Sequence, residues 1–117
     1  MRKLDCYLHT HRRQWGFTQQ EVAFLLGLKD RSSVAWLELG RRDPNIKIAL
    51  GCEVLFGAAP KDLFPKIYGK IQDALMRRAY VLDQRLKREA SPQAEAKRKL
   101  LADVLSRAVE FASEQEV

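Results

Sequence analysis

The stretch GLKDRSSVAWLELGRR, residues 27–42, concentrates side chains suited to recognition rather than to bond-making. Arg31 offers a rigid fork of donors, Ser32 a hydroxyl, and Trp36 a large ring with one N–H. Arg41 and Arg42 add two more guanidinium groups just past a glycine. Either these groups face the protein's own core, or they form a working surface. The rest of the chain holds no paired carboxylates, no nucleophile beside a base and no glycine loop for phosphate, so no enzyme is expected and no cofactor is implied. His9 and His11 are two apart and would point to different faces of a helix, which makes a poor metal pair. Cys6 and Cys52 stand outside any Cys/His cluster and read as free thiols of a cytoplasmic protein.

The totals agree with a binding role. The 117 residues suit one domain with an extension, and 46% hydrophobic content is enough for a core. The net charge of +6 favours a polyanionic partner. The excess is spread evenly, however, with three positive charges net in residues 1–65 and three in 66–117, so charge alone locates no face. Apolar runs are too short for a membrane span, and the charged opening MRKLDCYLHTHRRQW does not read as a secretory signal.

Positioning that surface falls to helices. No segment sustains period-two alternation, and the spacing predicts an all-α chain. A first helix is expected with Leu4, Leu8, His11 and Trp15 on one stripe and Gly16 as its stop. Thr18 and Glu21 form a capping box opening a second, with Val22, Leu25 and Leu26 inward and Ala23 toward a neighbouring helix. Asp30 caps a third, over residues 31–39, whose inner side takes Ser33, Val34, Leu37 and Glu38. That leaves Arg31, Ser32, Ala35 and Trp36 outward. Asn45 starts a fourth, with Ile46, Ala49/Leu50 and Leu55/Phe56 expected in the core, and Pro60 a short fifth whose Leu63 and Phe64 close the base. After Pro65 two long amphipathic helices are predicted. One carries Ile67, Ile71, Leu75, Ala79, Leu82 and Leu86, and the other carries Leu100/Leu101, Val104/Leu105, Ala108 and Phe111/Ala112. Ser91 and Pro92 make the link between them short, so an antiparallel hairpin is expected. Arg77/Arg78 and Lys97–Lys99 read as solvated faces.

Two short helices, a tight turn, a small residue at the crossing and an apolar anchor beneath the second describe a helix-turn-helix. Residues 4–64, about half the chain, resemble the phage-repressor and Cro-like (XRE-like) helix-turn-helix regulators, in HRRQWGFTQQEVAFLLGL, SSVAWLELGRRDP and ALGCEVLFGAAPKDLF. The span from Gly27 to Gly40 is one residue longer than the commonest pattern, and Trp36 stands where a polar or basic side chain is more usual. The resemblance implies a five-helix lambda-repressor-like head over 1–65; the hairpin over 66–117 offers more apolar surface than such a head can cover, and is expected to serve dimerisation. The resemblance also implies that the third helix enters the major groove of double-stranded DNA, with Arg31, Ser32 and Trp36 at base edges. Gln19, Arg41, Arg42 and Lys47 become phosphate contacts, Gln19 also bracing the recognition helix, and Arg12 with Glu38 a structural ion pair. The expected protein is a homodimeric transcriptional regulator, acting as a repressor, from a prokaryotic cell or a phage. The alternative is an antitoxin-type regulator whose hairpin holds a partner protein.

Overall fold

The computed structural model describes residues 4–116, with side chains through Glu110. Phe111 and Ala112 therefore lie outside the described side chains. Among the described residues the chain is all-α, with seven helices and no strand. None is long and apolar enough to cross a membrane. Contacts divide the chain into two compact units, Met1–Tyr68 and Gly69–Val117.

In the first unit, α1 (Leu8–Gln14) starts later than its sequence stripe suggests. Leu4 lies outside the helix and half-exposed, because the segment before α1 is tied elsewhere. The Tyr7 N–H donates to the Leu63 carbonyl at 2.7 Å and the Lys66 N–H to that of Asp5 at 3.4 Å. Leu8 is fully buried, while Trp15 falls past the last turn and is exposed. The chain then reverses at Gly16, where Phe17 N–H donates to Arg12 O.

Both halves of the capping box are present at α2 (Gln19–Leu25). Glu21 N–H donates to Thr18 Oγ1 at 3.0 Å, and Thr18 N–H to Glu21 Oε1 at 2.9 Å. Its inner face is Val22, Ala23 and the following Leu26; Leu25, expected inward, is half-exposed. α3 (Arg31–Glu38) is capped by Asp30, whose Oδ1 accepts from Ser32 N–H, and is anchored by buried Val34 and Leu37.

The register of α4 (Ile46–Phe56) also differs from the sequence expectation. Cys52 is buried and Phe56 packs against the core, as expected, but Ile48 is buried too, whereas Ile46 is 74% exposed and Leu50 half-exposed. Gly51 explains the choice. A Cβ there would stand 2.9 Å from Leu26 Cδ2, so α4 approaches the end of α2 closely at the one residue without a side chain. The core comprises Leu8, Val22, Ala23, Val34, Leu37, Ile48, Cys52, Leu63 and Phe64, the last two from α5 (Pro60–Leu63) and its cap. Burial pushes the Cys52 thiol up to about 11, and a Cys6 charge adds a smaller push. Burial also raises the Cys6 thiol.

The second unit takes most of α6 (Pro65–Leu86) and all of α7 (Pro92–Glu116). Ser91 Oγ caps α7 at Ala94 N–H. Arg98 does not sit on a solvated face: its Nε is 2.8 Å from Asp83 Oδ1 of α6. Leu105 of α7 shares a cleft with Met76, Arg77, Tyr80 and Val81 of α6. The residues buried here are Ala79, Leu86, Ala94 and Ala108. Of the α6 stripe, Ile71, Leu75 and Leu82 remain exposed, as does Leu100 of α7.

Candidate nucleic-acid interface

The geometry of the surface is set from beneath. Val34 and Leu37 are buried, which fixes the inner side of α3 and turns Ser32 and Trp36 outward. These two are four residues apart and share one side of the helix. Trp36 is 53% exposed, so its ring stands at the surface rather than in the core. Its backbone carbonyl accepts the N–H groups of Arg41 at 2.9 Å and Arg42 at 3.3 Å. The turn is therefore wrapped onto the end of α3, with Gly40 supplying φ +72°. Both arginine side chains are exposed, and so is Lys47 in the first turn of α4.

A charged network holds the same end of α3. Arg12 Nε lies 2.6 Å from Glu38 Oε2, and its Nη2 donates to Oε1 at 3.2 Å. The side chains are only 9% and 5% exposed. The remaining Arg12 nitrogen, Nη1, donates to Phe17 O at 3.0 Å. Gln19 Nε2 completes the set by donating to Glu38 Oε1 at 3.0 Å. One carboxylate at the end of α3 thus ties together α1, the α1–α2 turn and the first residue of α2. Gln19, a phosphate contact by resemblance, commits its amide to this network.

Among the described residues no buried side-chain nitrogen or oxygen lacks a partner, and no His/Cys/Asp/Glu group could hold a metal. His11 stacks at a tilt on Phe56, ring centroids 5.6 Å apart.

Arg31 stands apart from the outward pair. Four residues before half-buried Ala35, it lies on a different side of α3 from Ser32 and Trp36. It lines a cleft of about 620 Å³ with Arg12, Arg13, Gly16, Phe17, Thr18, Gln19 and Gln20. Sequence reasoning did not single out Arg13 or Gln20. The only sign of Arg13 is the doublet Arg12–Arg13, in which one arginine turns inward and leaves its neighbour outside.

An uncharacterised helix-turn-helix-type transcriptional regulator of Archaeoglobus fulgidus is 34% identical to this chain over 53 residues, which cover 45% of this chain and 74% of that protein. No protein-family model and no solved structure matches.

Proposed function

The chain belongs to the helix-turn-helix-type transcriptional regulators, and on that premise we propose that it is a phage-repressor-like (XRE-like) repressor that binds an operator in double-stranded DNA as a homodimer. Residues 1–65 act as a five-helix DNA-binding head and 66–117 as an antiparallel helical hairpin that pairs two copies. The observation that carries this reading is the Arg12–Glu38–Gln19 network. It fixes α3 by its inner side and end while leaving its outer side, with Ser32 and Trp36, open to base edges in a major groove. Arg41, Arg42 and Lys47 flank that side as phosphate contacts, which set register and affinity without reading sequence. Trp36 meets a thymine methyl or a sugar rather than a hydrogen-bonding edge.

Selection from a random duplex pool tests the reading. A dyad-symmetric site is expected, with half-sites about 34 Å apart or a multiple of that. Recovery of no enriched sequence would reject sequence-specific binding. Replacing Arg41 and Arg42 with alanine should weaken binding to every duplex and flatten the salt dependence by about two phosphate equivalents. An unchanged slope removes both from the phosphate contacts.

The exposed apolar side chains Ile71, Leu75 and Leu82 favour a partnered hairpin. A second copy is the occupant proposed. The second reading, an antitoxin-type regulator, places a different protein there. Sedimentation of the full chain at micromolar concentration separates them, since a lone monomer that becomes a heterodimer with a co-purifying protein supports only the second.

A further inference from the structure

The cleft between the end of α1 and the start of α3 is unlike the rest of the head surface. Three guanidinium groups line it, from Arg12, Arg13 and Arg31, and no carboxylate does. Arg12 is neutralised by Glu38. Arg13 and Arg31 are exposed, and neither has an ion-pair or hydrogen-bond partner through its side chain among the described residues. The nearby acids Glu21 and Asp30 cap helices and pair with neither arginine: Glu21 accepts from Thr18 N–H, and Asp30 from Ser32 N–H. The cleft is therefore lined by two guanidinium groups that form no ion pair of their own, together with the side chain of Gln20.

We infer that this cleft seats one phosphodiester of the duplex backbone, held by Arg13 and Arg31. A phosphodiester presents two non-bridging oxygens, and guanidinium forks match such oxygens in pairs. The assignment rests on the DNA-binding reading and changes it in two ways. Arg13 joins the binding residues. Arg31 leaves the base readers, because it shares a side of α3 with Ala35 and the cleft rather than with Ser32 and Trp36. Sequence readout then falls to Ser32 and Trp36, and Arg31 sets how deeply the first turn of α3 sits in the groove.

The test compares the full-length protein with Arg13→Ala, Arg31→Ala and Arg31→Lys. Binding is measured over a salt series on a selected duplex and on an unrelated one. Each alanine variant should lose the same factor in affinity on both duplexes and reduce the salt slope by about one, while Arg31→Lys keeps the slope. The side chains are exposed, so melting temperatures should match the wild type. Three results would overturn the inference: an Arg13→Ala slope equal to wild type, an Arg31→Ala loss confined to one base pair, or an Arg31→Lys slope as low as that of Arg31→Ala. Inorganic phosphate at matched ionic strength supplies the control for source. If it raises the melting temperature of wild type but not of the alanine variants, while all bind duplex alike, the cleft takes free phosphate and the inference fails. Should the wild type bind no duplex at low salt, the regulator reading itself falls, and this assignment with it.

Discussion

The two units solve the burial problem in opposite ways. The Met1–Tyr68 unit closes a core of leucine, isoleucine, valine and phenylalanine, and even its buried charges are fully partnered within the chain. The Gly69–Val117 unit buries mainly alanines, leaving Ile71, Leu75, Leu82 and Leu100 in contact with solvent. A contiguous exposed apolar face of this kind is the surface that the proposed homodimer would cover. On the proposed homodimer reading, the difference separates a part whose stability is internal from one whose stability depends on association.

The largest effect should come from the internal part. Glu38→Ala strands the Arg12 guanidinium and the Gln19 amide in a nearly dry site, and loss of one partner of a buried pair costs about 3–5 kcal/mol. Urea unfolding should show this loss, and Gln19→Ala should cost less because it leaves the ion pair intact. A Glu38→Ala cost below about 1 kcal/mol would mean the network is not the brace of α3.

The association-dependent part should respond differently. Leu75→Glu or Leu82→Glu should lower dimer affinity by about 2 kcal/mol per substituted position, since fully burying a leucine contributes about 1.5–3 kcal/mol. Sedimentation should show the shift to monomer, with the helix content retained at high concentration. Unchanged sedimentation would place the contact on another face.

A third effect belongs to the head alone. The Cys52 thiol is raised from 9.0 to about 11 by burial, and Cys6 is raised as well. The fold therefore holds these protons more tightly than the unfolded chain does. Their contribution is fully present below pH 9 and is lost as pH climbs toward 11, by about 1–2 kcal/mol for Cys52 alone. Cys52→Ala should flatten the fall in stability between pH 9 and 11. An identical pH slope in wild type and variant would show that other groups govern alkaline unfolding.

The same contrast explains what sequence reasoning could reach. Caps were readable because each is local: Thr18 with Glu21, Asp30 with Ser32 N–H, Asn45 with Ile48 N–H, Ser91 with Ala94 N–H. The α4 register was not, because apolar residues at 46, 48, 50, 54 and 55 surround that helix and periodicity cannot choose among its sides. The Gly51–Leu26 approach, a long-range fact, decided it. The start of α1 was missed for a similar reason, since its preceding segment is bonded to Leu63 and Lys66. In the site, the Arg12–Glu38 pair and the bracing by Gln19 could be read only through a family resemblance, and Arg13 acquires its place only from three-dimensional neighbours.

The smallest expected effect draws the contrast most finely, because it uses the same substitution in both units. Replacing a glycine within a helix by alanine gains about 0.5–1 kcal/mol from the backbone alone. Gly69, within α6, would meet nothing within 4 Å, so Gly69→Ala should realise that gain in full. Gly51, within α4, carries the same backbone gain but brings a methyl to 2.9 Å from Leu26 Cδ2. The end of a leucine side chain can rotate away, yet Leu26 packs against the core and has little room to do so. Gain and strain are of similar size, and Gly51→Ala should leave stability within about 1 kcal/mol of wild type. Paired urea melts would measure the difference. A Gly51 gain matching that of Gly69 would mean that α4 does not depend on close approach for its register, and that the head is packed less tightly than its buried network implies.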